Sequence, residues 1–155
     1  MDPTEQKLVS DVERHGWHVI HVLGDDEYPN FSYTVGLYDT FEHPEIILIG
    51  LKQEITNVLL NNMGVDIKEG KGFEPGQFYQ GILDNFQCWI GEVPKSEYGA
   101  HVGFGLWYYD GDNFPLVQCV YPSTNNVYPW EREFPEDSKF WARMLTAPPG
   151  ESDLP

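Results

Sequence analysis

Basic side chains are scarce in this sequence. Nine Lys and Arg stand against 25 Asp and Glu, a formal charge of −16 at pH 7. No Lys or Arg lies between Arg14 and Lys52, between Lys71 and Lys95, or between Lys95 and Arg132. A nucleic-acid binder needs cations to displace condensed counterions, so direct DNA or RNA binding is excluded as an expectation. An anionic membrane surface is disfavoured for the same reason. Cysteine is also rare: Cys88 and Cys119 stand alone, without Cys-x-x-Cys spacing, in apolar strand-like runs. They are expected as buried free thiols. No apolar run approaches the roughly 20 residues of a membrane helix. The start, Met-Asp-Pro-Thr-Glu-Gln, has no basic region followed by an apolar core, so no signal peptide is expected and the cytoplasm is the expected location.

Nucleotide-binding motifs are missing too. Gly70-Lys71-Gly72 and Pro75-Gly76 lack the Walker spacing, and Lys71 precedes a Phe rather than a helix start. No Gly-x-Gly-x-x-Gly fingerprint occurs, and no His/Cys/acid spacing matches a zinc motif. No cofactor and no metal is therefore expected.

Aromatic side chains are plentiful. Five Trp, nine Tyr and nine Phe make up 15% of the 155 residues. That length suits one domain with its own core. Thr4 can cap a first helix that carries Leu8 and Val12 on one face and stops at Gly16. Trp17–Leu23 and Phe31–Leu37 alternate like strands around the turn material of Asp25–Asn30, which predicts an antiparallel hairpin. Ile46–Ile49 is four apolar residues in a row, as in a strand covered on both faces. Ile55, Leu59, Met63 and Ile67, with Val58 beside them, predict a helix over 52–69 that Gly64 weakens. Residues 70–77 form a loop. Residues 82–93 form one strand, or two broken near Asp84-Asn85. Ser96 opens a helix to about Tyr108, Phe114–Tyr121 is the last strand, and a short helix is expected within 135–145. The fold class is α+β: a mixed, mostly antiparallel sheet with two to four helices packed on it. Residues 1–147 form a single domain, and 148–155 an acidic tail expected to be disordered.

The best-placed polar group is His43-Pro44-Glu45, at the mouth of the central strand. Pro44 biases His43 to an extended conformation. His43 and Glu45 can act as an acid–base pair, or can tie down their loop through the backbone. Tyr33, Thr34 and Gly36 share the strand facing this loop, where a glycine beside hydroxyls lets a flat ligand approach. The same pattern also describes an ordinary strand with a bulge. His18 and His21 point to opposite faces of one strand, which separates them as ligands. Pro129-Trp130, flanked by Glu131 and Glu133, reads as an interaction edge or as a core plug.

Several of these segments, taken together, resemble one family. Trp17, Tyr33-Thr34-Val35-Gly36-Leu37, His43-Pro44-Glu45, Gly50-Leu51, Pro75-Gly76, Gln118 and Pro129-Trp130 match the pattern of DUF4262, a bacterial domain of unknown function. The resemblance runs from about 16 to 130. Ser123 and Asn125-Asn126 depart from it, where the pattern tends to an acid and a glycine. It implies a shared fold and a bacterial source, and transfers no activity.

Two functions follow as expectations. The first is a small acidic binding protein that docks a partner with a basic surface, in the manner of an immunity protein masking a toxin's cleft. Asp25, Asp26, Glu27, Glu42 and Glu131 would supply charge, and Tyr28 or Trp130 the anchor. The second is a flat-ligand or enzymatic site around Tyr33, Thr34, His43 and Glu45.

Overall fold

The computed structural model describes all residues from Met1 to Pro155. The chain runs α1 (Pro3–His15), β1 (His18–Val22), β2 (Phe31–Val35), α2 (Leu37–Phe41), β3 (Glu45–Ile49), α3 (Gln53–Lys68), β4 (Gln77–Leu83), β5 (Phe86–Glu92), α4 (Tyr98–His101), α5 (Gly103–Tyr109) and β6 (Leu116–Val120). The six strands form one sheet in the order β1-β2-β3-β6-β5-β4. Only β3 and β6 run parallel; every other pairing is antiparallel. This is the expected α+β architecture.

Helices cover both faces. Strand residues alternate between two cores, because successive side chains point to opposite sides. Ile46, Leu48, Val117, Cys119, Cys88 and Ile90 face α3, which contributes Leu59, Leu60, Met63 and Ile67. Tyr33, Val35, Ile47, Ile49 and Leu116 face the other way, onto Leu8 and Val12 of α1, Tyr98 of α4 and Val102 just after it. Strand β3 lies between β2 and β6 with all five residues buried, so its continuous apolar run fits its place.

Several expectations need correction. Asp2, not Thr4, caps α1: it accepts the Glu5 N–H at 2.8 Å while Glu5 returns the bond to the Asp2 N–H at 2.9 Å. Pro3 then occupies the first turn, where its missing N–H costs nothing. In α3 the buried face is set by Thr56, Leu59, Leu60, Met63, Gly64 and Ile67. Ile55 and Val58 are exposed instead. The helix runs unbroken through Gly64, because the Trp17 ring packs where a side chain would stand. The helix expected from Ser96 to Tyr108 is two, α4 and α5, separated at Val102. One-turn α2 was not foreseen, which brings the helices to five. Within 135–145 only a short 3-10 turn forms, at Glu136–Ser138. Two other such turns form, Lys95–Glu97 just before α4 and Glu151–Asp153 in the exposed C-terminal residues.

Buried Gln118 fastens the C-terminal segment over the sheet. Its side chain accepts from the Leu145 N–H at 2.7 Å and the Thr146 N–H at 3.1 Å, and donates to the Arg143 carbonyl at 2.8 Å.

Candidate functional site

The β2–α2 corner is built on one glycine. Gly36 has φ +114°, a conformation that favours glycine, and a Cβ there would meet the Gly16 carbonyl oxygen at 2.9 Å. The turn aims the free amides of α2 at Glu45, the first residue of β3. Glu45 is 1% exposed. Its Oε1 accepts from Thr34 Oγ1 at 2.9 Å and Leu37 N at 3.2 Å. Its Oε2 accepts from Gly36 N at 2.9 Å, Tyr38 N at 3.2 Å and the Tyr109 hydroxyl. Thr34 Oγ1 itself accepts from Ile46 N at 2.9 Å, which directs its proton to Glu45. Burial pushes the Glu45 carboxyl up to about 7, while Tyr109 and the backbone amides pull it down. Burial and the facing carboxylate together push the Tyr109 hydroxyl far up.

His43 has its own partners. Nδ1–H donates to the Pro44 carbonyl at 2.8 Å, and Nε2 accepts the Phe73 N–H at 2.8 Å. The ring is thereby the neutral Nδ1-H tautomer, stitching the β3 entrance to the loop before β4. Burial holds it below the ordinary histidine range. Tyr33 is buried; its hydroxyl accepts the Phe104 N–H at 3.0 Å, and burial raises it to about 12. The structure brings Thr34 and Glu45 into one network and leaves His43 and Tyr33 in separate ones. His43 and Glu45 share no hydrogen bond. The residue sequence reasoning missed is Tyr109, 64 positions from Glu45. Nothing local announces it, since Tyr108 and Tyr109 read as packing.

The docking candidates divide between the two ends of the sheet. Strands β1, β2 and β3 are antiparallel, so the loop before β2 and the corner after it lie at opposite ends. Asp25, Asp26, Glu27 and Tyr28 occupy the first, and Glu42 the second. Asp25 folds its loop as an Asx turn, accepting the Glu27 and Tyr28 N–H groups at 2.8 and 2.9 Å. Asp26 and Glu27 are exposed, and Tyr28 is 49% exposed. Trp130 is half-buried, stacked on Tyr128 at 4.7 Å between centroids. Glu131 accepts the Tyr128 N–H at 2.8 Å and so closes that turn.

The C-terminal segment adds two residues the sequence did not point to. The Arg143 guanidinium lies 4.9 Å from the centre of the Tyr28 ring. Trp141 is 53% exposed, and its carbonyl rests against Gly50, where a Cβ would be 1.8 Å away. Gly50 donates to the Asn30 carbonyl at 2.7 Å. Tyr28, Trp141 and Arg143 thus meet beside Asp25, Asp26 and Glu27 at one sheet end.

No group of three or more His, Cys, Asp or Glu converges as metal ligands would. Cys88 and Cys119 are free and buried, and their mutual hydrogen bond, with burial, raises the Cys119 thiol well up. No helix is long and apolar enough to cross a membrane.

No curated protein and no solved structure matches the chain at a significant level. The profile of one family, described as a domain of unknown function, DUF4262, matches residues 11–135. That span takes in both strands of the Gly36 corner, the Glu45 network and Trp130, and the chain therefore belongs to the DUF4262 family.

Proposed function

We propose that this protein is a cytoplasmic docking protein that binds a basic protein partner, in the manner of a bacterial immunity protein closing a toxin's cleft. The observation that supports it most is the contact of Tyr28 with Arg143. It places the exposed Asp25-Asp26-Glu27 loop beside the exposed Trp141, so charge and a large aromatic anchor share one surface. Such a surface steers a cationic partner and then desolvates against it. Glu42 lies at the far end of the sheet and Trp130 within an aromatic stack, so the anchor role passes to Tyr28 and Trp141. The carboxylate of Glu45 and the ring of His43 already have internal partners. A flat-ligand site at Tyr33, Thr34, His43 and Glu45, the competing proposal, would have to break those bonds first.

The test is co-expression with the neighbouring gene product, followed by titration of the purified pair at rising salt. The reading expects rescue of growth where that product is toxic, and binding that weakens with salt. It also expects a loss of at least about tenfold in affinity for the Asp25→Lys/Asp26→Lys double variant, with Trp141→Ala acting through the dissociation rate. No rescue and no complex with the neighbouring product would sink it.

A further inference from the structure

The sheet has two outer strands, β1 and β4, and they differ. β4 carries a register shift between Tyr79 and Leu83, the kind of irregularity that blunts an edge. β1 keeps an unbroken five-residue register against β2. Gly50 N donates to the Asn30 carbonyl directly opposite it, so Asn30, Ser32 and Thr34 turn their amide groups toward β3. Alternation turns Phe31, Tyr33 and Val35 toward β1, onto Val22, Ile20 and His18. The N–H and C=O groups of Val19 and His21 then point out of the sheet.

These groups lie in a cleft of about 590 Å³. Lys7, His15 and His18 line one side, from α1 and the strand; Asn57, Asn61 and Val65 of α3 line the other. Asp11 also faces the cleft, where it is ion-paired with Lys7 Nζ at 3.3 Å and hydrogen-bonded to His18 Nδ1 at 2.6 Å. Trp17 donates its indole N–H to Asn61 at 2.9 Å, which fixes the α3 wall. In a chain of charge −16, this cleft sets one lysine and three histidines against a single carboxylate, that of Asp11.

We propose that the open edge of β1 takes up an extended peptide strand of a partner, its carboxylate side chains toward Lys7 and His15 and its apolar side chains toward Val65. The peptide backbone pairs with Val19 and His21, and alternation of its side chains sorts acids to one wall and apolar groups to the other. The shape of the cleft favours a single strand. Both helices flank the edge, so a second copy would bring its own two walls against them. This surface is separate from the acidic end described above, and the two stand or fall independently.

The probe is the hexapeptide Ac-Asp-Val-Asp-Val-Asp-Val-NH2, with Ac-Lys-Val-Lys-Val-Lys-Val-NH2 as its control. The full chain is titrated with each while backbone amide shifts and hydrogen exchange are followed. The proposal expects saturable shifts and slowed exchange at the Val19 and His21 amides with the acidic peptide only. Val19→Pro deletes an outward N–H without touching the β2 ladder and should weaken binding roughly five- to tenfold, the worth of about one hydrogen bond. Lys7→Glu, an exposed change on α1 that leaves the strand intact, should weaken it comparably. Equal binding of the lysine peptide would overturn the proposal. So would an acidic peptide that leaves both amides unshifted, or protection of those amides by self-association at rising protein concentration.

Discussion

Replacing Glu45 by Gln should cost about 2 kcal/mol at pH 5, where the buried carboxyl is protonated, and the network shows why. Five donors converge on two carboxylate oxygens. An amide keeps one acceptor oxygen and turns two N–H groups on the remaining donors. Its best orientation places the oxygen among Gly36, Tyr38 and Tyr109 and the nitrogen against Thr34 and Leu37. The Leu37 N–H then faces another N–H in a buried site, a penalty of about 1–3 kcal/mol. For a chain of this length about 2 kcal/mol corresponds to a fall in melting temperature of roughly 4–8 °C. The pH dependence makes the test specific. Folding raises the Glu45 carboxyl from its ordinary 4.5 to about 7, so between those values the folded state binds the extra proton. Stability from this group is therefore fully present below about pH 4.5 and is lost as pH rises through 7, by roughly 3 kcal/mol in all. Urea unfolding from pH 4.5 to 8 should show that decline in the wild type and a flatter profile in Glu45→Gln. A variant as stable as wild type at pH 5, with the wild-type pH profile, would refute the account of Glu45 as the clamp of the β2–α2 corner.

Tyr109→Phe removes one donor from the same carboxylate and should destabilise by about 1–2 kcal/mol at pH 8. Its effect should not add to that of Glu45→Gln in a double-mutant cycle followed by urea unfolding. His43 is held below its ordinary pKa of 6.5 in the fold, so the unfolded chain binds its proton first as pH falls. Its contribution is present above 6.5 and is lost below it, and His43→Ala should remove that acid-side slope in the same pH series. Gly64→Ala places a Cβ 2.5 Å from the Trp17 ring and should cost about 1–3 kcal/mol, with a shift in tryptophan fluorescence reporting the displaced indole.

Much of the fold was legible because its signals are local. Gly16 ends α1 as its position after the apolar pair foretold, and its N–H donates back to the Val12 carbonyl. Asp25–Asn30 supplies a turn with its own hydrogen bonds, so the β1–β2 hairpin needed no distant partner. The Ile46–Ile49 run marks a strand buried on both faces. The misreadings share a cause. Ile55 and Val58 have the right spacing for a buried stripe, yet the sheet meets α3 about a quarter-turn away, along Thr56, Leu60 and Gly64. The start of β4 escaped notice because Gln77–Gly81 carries little apolar pattern; as an outer strand it is only partly covered.

The candidate site divides in the same way. The Gly36 corner and the Glu45 carboxylate drew attention through residue type and place. That Glu45 serves the α2 amides and Tyr109, and that His43 serves Phe73, depends on contacts made across 64 and 30 positions. The pairing of Tyr28 with Arg143 spans 115 positions, and Gln118 holds the segment that makes it.

By itself the amino-acid order determined the acidic surface, the alternation of strands, the Gly16 end of α1 and the family. These follow from charge, periodicity and capping, which act over a few residues. Which carboxylates stay at the surface and which one is sealed inside was decided only by the tertiary structure, because burial and hydrogen-bond supply come from chain segments far apart in sequence.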